Sequence, residues 1–305
     1  MHPRLKCIAS ALDGILREHP PRAGSLIITV FGDAVLPHGN SVWLGSLIEA
    51  LNPFGLNPRQ IRTAIFRLAQ DNWLSCLKIG RRSYYSFTEF GQRHYEKSAR
   101  RIYASQPIIW DGQWTLVIPA FADPGQREQL KRELGWLGFG AIANGVLAHP
   151  NANQESLAAT LAELDLGNLV VTLRARTEHV GSRDVLRRLT RQSWQLDQFE
   201  TRYKDFIARF RPVLHGLVKA RAVEPAQMFE LQTILIHEYR RILLRTTDLP
   251  DELLPANWSG RAAMDLTARL YNVTREPAAA YIESSLEGPQ GRLAQAGLSY
   301  RQRFA

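Results

Sequence analysis

The chain has 305 residues, of which 38 are Lys or Arg and 29 are Asp or Glu, for a formal charge of +9. At roughly 100–200 residues per domain this length suggests two or three domains. The 45% apolar and 22% charged content excludes disordered and fibrous proteins. No apolar run approaches the roughly 18 residues that span a bilayer, and no signal peptide is recognisable, so no membrane partner is expected. Two cysteines are too few for a disulfide framework or a zinc site, which favours a cytoplasmic location and no metal.

The positive charge is unevenly distributed. Residues 1–104 have 14 basic and 7 acidic side chains, residues 105–182 have 5 and 8, and residues 183–305 have 19 and 14. A basic first third beside an acidic middle predicts an N-terminal module that binds a polyanion, most simply nucleic acid. A basic surface that serves only solubility is the alternative.

The first third predicts three helices, a hairpin and a final helix. Ser25 and Thr88 are expected N-caps, and Asn57 followed by Pro58 is the expected start of the third helix. In chain order the predicted elements are helices over 26–36, 46–51 and 59–72, strands over 73–80 and 83–88, and a helix from 88 to about 103.

The third helix has two contrasting faces at 100° per residue. The apolar face consists of Ile61, Ala64, Ile65 and Leu68. The opposite face consists of Arg59, Arg62, Thr63, Phe66 and Arg67. Three solvated arginines behind a short helix and a Gly/Pro turn predict the second helix of a helix-turn-helix, where Arg can bond guanine in the major groove. An ordinary solvated helix face, with Phe66 against the hairpin, is the alternative.

The hairpin favours the DNA-binding interpretation. Its turn has two arginines, tyrosines follow, and a basic hairpin in this position is a wing that reaches phosphates or the minor groove. Its apolar positions at 73, 74, 77 and 79 are expected to cover the helices. The predicted contacts with double-stranded DNA are Arg59, Gln60, Arg62, Thr63, Phe66, Arg67, Lys78, Arg81, Arg82 and Tyr84.

The middle segment, residues 105–182, predicts the element order strand, helix, two strands, helix, strand. Asn144-Gly145 between two apolar runs is a hairpin signal. This order is typical of the ferredoxin-like fold. Two such domains can pair through edge strands or helices, so we expect this segment to dimerise.

The last third predicts an all-α domain over 183–287, followed by a tail over 288–305 that we expect to be loosely packed or disordered. His237-Glu238 begins like the zinc motif HExxH, but residue 241 is Arg, so the second ligand is missing. Basic and tryptophan side chains here could bind phosphates and an aromatic ring, or could be solvated faces and core. These candidates are Arg187, Arg188, Trp194, Arg240, Arg241 and Trp258. No nucleophile elbow or Gly-rich phosphate loop is present, so we expect no enzyme and no cofactor.

Three stretches of the first third carry a family resemblance: FGD, then LNPFGLN followed by RTAIFRL, then GRRSYYSFTEFG. In this order they resemble the N-terminal domain of the PaaX family, bacterial repressors of phenylacetate catabolism. WDGQWTLVIPAF and LGFGAIANGVLAHPN are similar to its central domain, and HEYRRILLRTTDLPDELLPANWSG to its C-terminal region. The resemblance spans about residues 22–285. It implies a homodimeric repressor that leaves its operator when phenylacetyl-CoA binds, and a central domain like the CRISPR-associated Cas2 nucleases.

Two alternatives stay open beside this resemblance. The metal-binding aspartate that Cas2 nucleases place at the end of the first strand is absent, since that strand ends Pro119-Ala120-Phe121, which disfavours a nuclease. The second alternative is a winged-helix regulator of another aromatic or acyl-CoA pathway. The expected architecture is α+β and multidomain: a winged helix-turn-helix with a linker helix over 1–104, a ferredoxin-like (Cas2-like) domain over 105–182, and the helical, candidate effector-binding domain.

Overall fold

The computed structural model describes residues 5–104, 109–121, 123–177 and 183–304. The chain divides into two compact units. The first unit consists of Met1–Ser105, Lys204–Leu243 and Arg261–Ala305, and the second of Gln106–Tyr203 and Leu244–Gly260. The helical segment over 183–287 therefore supplies residues to both units. Among the described helices, none is both long and apolar enough to cross a membrane.

The first unit begins with five helices and a small sheet. The helices are α1 (Lys6–Glu18), α2 (Ala23–Val30), α3 (Leu44–Leu51), α4 (Pro58–Gln70) and α5 (Glu89–Ile102). The strands are β1 (Val42–Trp43), β2 (Leu74–Ile79) and β3 (Arg82–Phe87), in the antiparallel order β1-β3-β2.

Two of the three predicted caps are confirmed. The Asn57 side chain accepts a hydrogen bond from the Gln60 amide and the Gln60 side chain accepts one from the Asn57 amide, both at 2.9 Å. Thr88 accepts from the Gly91 amide at 3.0 Å. The prediction for Ser25 is wrong, because α2 begins two residues earlier and Arg22 is its N-cap. Ser25 lies in the first turn, where its carbonyl accepts from the Thr29 hydroxyl.

The predicted core face of α4 is confirmed, while the hairpin differs from the prediction. Ile61, Ile65 and Leu68 are buried, whereas Ala64, the fourth residue of this predicted face, is only half-buried. At the start of the hairpin Trp73 packs against Phe90 and Leu74 is buried, as predicted, but Leu77 and Ile79 are 54% and 47% exposed. In the part of the chain that the structure describes, strand β2 pairs only with β3, so beyond Leu74 it extends away from the helices instead of covering them.

The second unit contains a four-stranded antiparallel sheet in the order β5-β6-β4-β7. Its elements are β4 (Gln113–Pro119), α6 (Pro124–Trp136), β5 (Gly140–Ala143), β6 (Val146–His149), α7 (Gln154–Glu163), β7 (Val170–Arg176) and α8 (Arg183–Ser193). The order along the chain is the predicted one. Apolar side chains of α6 and α7 form a core against the sheet around Val117, Leu130 and Leu161.

The remaining elements are α9 (Leu196–Val218), α10 (Pro225–Leu243), α11 (Ser259–Ser285), β8 (Glu287–Gly288), β9 (Gly291–Arg292) and α12 (Leu298–Arg301). Most side chains of α10 are buried, which makes it the central helix of the first unit.

The expectation of a loosely packed tail is wrong. Tyr300 and Phe304 are buried in the first unit. Arg303 donates to the Asp33 carboxylate at 2.9 Å and lies over the Tyr103 ring at 4.1 Å. The carboxylate also accepts from the Tyr271 hydroxyl at 2.9 Å. The polar composition of the tail predicted disorder. Two aromatic rings and one paired arginine are nevertheless enough to anchor it, and so few residues change the composition little.

Candidate nucleic-acid interface

Helices α3 and α4 are joined by a tight turn that orients α4. A 3-10 turn over Asn52–Phe54 ends at Gly55, whose φ of 75° lies in the left-handed region that favours glycine. The Phe54 ring is buried edge-on against Phe229 at 6.5 Å. Asn57 and Gln60 then close the capping box. Gln60, predicted to contact DNA, therefore has its side-chain oxygen engaged at the start of α4.

The outer face of α4 is accessible, as the sequence predicts. Arg59, Arg62, Thr63 and Arg67 are exposed, and the Phe66 side chain is 62% exposed. The Phe66 ring has no aromatic partner within the described residues, and most of its surface is accessible to a ligand.

The three arginines of α4 have no ion-pair or hydrogen-bond partner in the part of the chain that the structure describes. Their guanidinium groups are therefore available for an external anion. Arg is the side chain best suited to bidentate bonds with guanine and to phosphate contacts.

The hairpin side chains fall into two groups. Lys78 and Arg81 are exposed and, within the described ranges, unpaired. Arg82 donates to Glu287 at 2.6 Å and lies 4.3 Å from the Trp43 ring centre. Hydrogen bonds with Tyr84 and then with Glu287 raise the pKa of Arg82. Tyr84 itself is only 6% exposed, so it supports the hairpin from the inside.

A residue that sequence reasoning missed lies beside α4. Arg22, together with the first turn of α2 and one flank of α4, lines a cleft of about 820 Å³. Only its position in the basic first third hinted at a role, because Arg22 is 35 residues from Asn57 and no local periodicity connects them.

Four of the six candidate effector residues belong to the second unit, and three of these four have partners there. Arg187 lies 3.3 Å from the Glu252 carbonyl. Trp194 donates to the Gly138 carbonyl at 2.8 Å, and its ring covers Gly140. Trp258 is buried edge-on against Tyr203. Arg188 is exposed.

The other two, Arg240 and Arg241, belong to the first unit. Arg240 donates to the Thr29 hydroxyl at 2.9 Å, and burial lowers its pKa. Arg241 pairs with Glu238 at 2.7 Å. The six residues are thus not one cluster.

His237 lies inside the first unit. It is buried, and its Nδ1 lies 3.1 Å from the Thr29 hydroxyl. Burial, and secondarily the charges of Arg240 and Arg241, lower its pKa to about 3, so the imidazole is neutral at physiological pH. Within the described ranges no three His, Cys, Asp or Glu side chains are grouped as metal ligands.

The two aspartates near strand β4 have local structural partners. Asp123 caps α6 by accepting from the Gln126 amide at 2.7 Å, and Asp111 accepts from the Gln113 amide at 2.9 Å. These bonds account for both carboxylates without invoking a catalytic role.

Comparison with known proteins places these features in a family. Family models match the chain over three segments: PaaX-like protein over 22–91, PaaX protein central Cas2-like domain over 108–186, and PaaX-like protein C-terminal domain over 194–284. The transcriptional repressor PaaX of Escherichia coli (strain K12) is 36% identical over 287 residues, which are 93% of this chain and 90% of that protein.

A solved structure, that of the uncharacterized protein Rv0674 from Mycobacterium tuberculosis, has a similar fold. It superimposes with a TM-score of 0.55 at 20% identity and covers 85% of this chain and 97% of its own. The three family matches and the identity over nearly the whole chain agree with the motifs of the first third. The chain belongs to the PaaX family.

Proposed function

We propose that this protein is a transcriptional repressor that binds operator DNA through a winged helix-turn-helix formed by α3, α4 and the β2–β3 hairpin. The observation that carries the proposal is the outer face of α4, where Arg59, Arg62 and Arg67 are exposed and unpaired within the described residues. The 36% identity to a protein named as a transcriptional repressor supports it independently.

The second unit is the proposed dimerisation domain, with a ferredoxin-like fold. Among the described strands, β7 pairs only with β4 and forms one edge of the sheet, while α8 lies against the opposite edge strand, β5. Val171 and Leu173 on β7 are 46% and 45% exposed. An edge strand with exposed apolar side chains is suited to pairing with another copy. A homodimer would then present two α4 helices to paired half-sites.

Phenylacetyl-CoA is the proposed effector, on the strength of the family membership. A coenzyme A thioester needs cations for its phosphates, and Arg188, exposed on α8, is the best placed of the six candidates. The two tryptophans and Arg240 already have internal partners. Differential affinity of the effector for the two states of the protein would release the operator.

Fluorescence anisotropy with the full-length protein tests the proposal. Labelled operator, selected from a random duplex library, is titrated with wild-type protein and then with phenylacetyl-CoA, other acyl-CoA thioesters, and the free acids. Release by phenylacetyl-CoA alone supports the proposal. Release by another thioester would make the protein a regulator of a different pathway, and the absence of any selected sequence would contradict sequence-specific DNA binding.

A further inference from the structure

The cleft beside α4 lies on one flank of the proposed recognition helix. Its walls are the start of α2, from Arg22 to Ser25, and the α4 side chains Arg59, Thr63 and Arg67. Gly24 lines it too, and even a methyl group there would contact nothing within 4 Å. A volume of about 820 Å³ exceeds what ordered water needs by more than an order of magnitude.

The charged side chains of the cleft have a net positive charge. Three arginines line it, against one acidic residue, Asp71, at the end of α4. Within the described ranges, the guanidinium groups of Arg22, Arg59 and Arg67 have neither an ion pair nor a hydrogen bond, and only main-chain atoms of Arg22 and Arg67 bond within their helices. The Arg303 guanidinium, by contrast, donates four hydrogen bonds inside the protein, whereas the three guanidinium groups at the cleft keep their donors available for an external anion.

The position of the cleft fits the dimensions of DNA. Taking Arg59 as 0° on α4, Thr63 lies at 40°, Arg67 at 80° and Arg62 at −60°. An α-helix about 10–12 Å across fills a major groove about 12 Å wide, so its two flanks meet the two phosphate backbones. Arg59 lies near the middle of this outer face, and Arg67, with the cleft, lies on one flank.

We infer that this cleft is a phosphate-binding site for one strand of the operator, in which Arg22 and Arg67 contact the backbone and Arg59 lies at the border with the bases. The inference rests on the proposed function and adds a contact from outside the helix-turn-helix and the wing. Arg59 and Arg67 are eight residues apart, about 12 Å along the helix axis. A row of that length suits an extended polyanion better than a single phosphate group.

The test is the salt dependence of DNA binding by full-length Arg22→Ala. Loss of one phosphate contact per protomer is expected to reduce the slope of log affinity against log salt by about 0.9, or about 1.8 for a dimer. Operator and random duplex are expected to weaken by the same factor, because a phosphate contact does not distinguish sequences. Arg67→Ala is expected to give the same loss, and Arg22→Lys to keep most of the slope.

Arg221→Ala is the matched control, since Arg221 is an exposed arginine between α9 and α10 that does not line the cleft. Equal slopes for Arg22→Ala and Arg221→Ala would overturn the inference while leaving the proposed function intact. Coenzyme A is the rival occupant of the cleft, and its binding is measured by titration. If Arg22→Ala abolished coenzyme A binding without changing the salt slope of DNA binding, the cleft would be a small-ligand site. Wild-type protein that binds no DNA would contradict the proposed function itself.

Discussion

The arginines of α4 and those of α10 have the same charge but different surroundings. Arg59, Arg62 and Arg67 project from an outer face and are unpaired within the described residues. Arg240 and Arg241 on α10 instead bond to Thr29 and Glu238. Basic composition alone made both sets candidate anion sites. The partners distinguish them: cations already bonded inside the protein stabilise it, and unpaired ones are available for an external anion.

The largest effect is expected on stability, for the arginine that is buried and paired inside the protein. Arg303→Gln leaves Asp33 buried without its counter-charge, and we expect a loss of about 3–5 kcal/mol in the free energy of unfolding. Urea denaturation measures it. Arg301→Gln, an exposed neighbour on α12, is the control and is expected to change stability by less than about 0.5 kcal/mol. Equal losses in the two variants would show that the tail is not anchored through Arg303.

A smaller effect is expected for an unpaired arginine, and it concerns the affinity for DNA instead of stability. Arg62→Ala is expected to cost about 1–3 kcal/mol of operator affinity and to relax preference at one base pair per half-site, because a bidentate bond to guanine is lost. Its unfolding free energy is expected to match wild type. Anisotropy on single-base operator variants measures the preference. Equal weakening on operator and random DNA would make Arg62 a phosphate contact instead.

The internal network of α10 predicts a pH dependence. His237 has a pKa of about 3 in the folded protein and about 6.5 when unfolded. The unfolded chain therefore binds the proton more tightly. The contribution of neutral His237 to the free energy of unfolding is complete above about pH 6.5 and is lost as pH falls towards 3. At pH 5.5 the free energy of unfolding is expected to be about 1.4 kcal/mol below its high-pH value because of this residue.

Urea denaturation between pH 7 and 5 measures this dependence in wild type and in His237→Gln, for which a shallower decline is expected. Part of the decline remains, because burial lowers the pKa of His149 to about 4. His19→Gln, at an exposed position, is the control and is expected to leave the decline unchanged. An identical pH profile in wild type and His237→Gln would contradict the neutral, buried state of this imidazole.

The smallest differences are expected between the two arginines of the β2–β3 hairpin, in the salt dependence of DNA binding. Arg81→Ala is expected to lower the salt slope of DNA binding by about 1.8 per dimer, at 0.9 per phosphate contact. Arg82→Ala is expected to lower it less, since Glu287 already holds that guanidinium.

Glu287→Gln sharpens the comparison. It frees Arg82, so the affinity for random duplex and the salt slope are both expected to rise. The same titrations measure all three variants. A larger slope change for Arg82→Ala than for Arg81→Ala would mean that DNA displaces Glu287.

The sequence by itself determined the features that depend on neighbouring residues. The capping box at Asn57 and the cap at Thr88 are local hydrogen bonds between residues three apart. The two faces of α4 follow from helical periodicity, and the strand order along the second unit follows from alternating apolar runs and turn residues. Family motifs in the first third extended these local signals to a function, because the same short stretches contain the α3–α4 turn and the hairpin.

Only the tertiary structure decided which charges are available. Arg82 meets Glu287 across 205 positions, and Arg303 meets Asp33 across 270. Contacts at such separations leave no periodic trace in a sequence, so the tail looked unstructured and both wing arginines looked equivalent. Arg22 was missed for the same reason. It reaches the flank of α4 only because α2 packs against that helix, and packing depends on the shape of both surfaces at once.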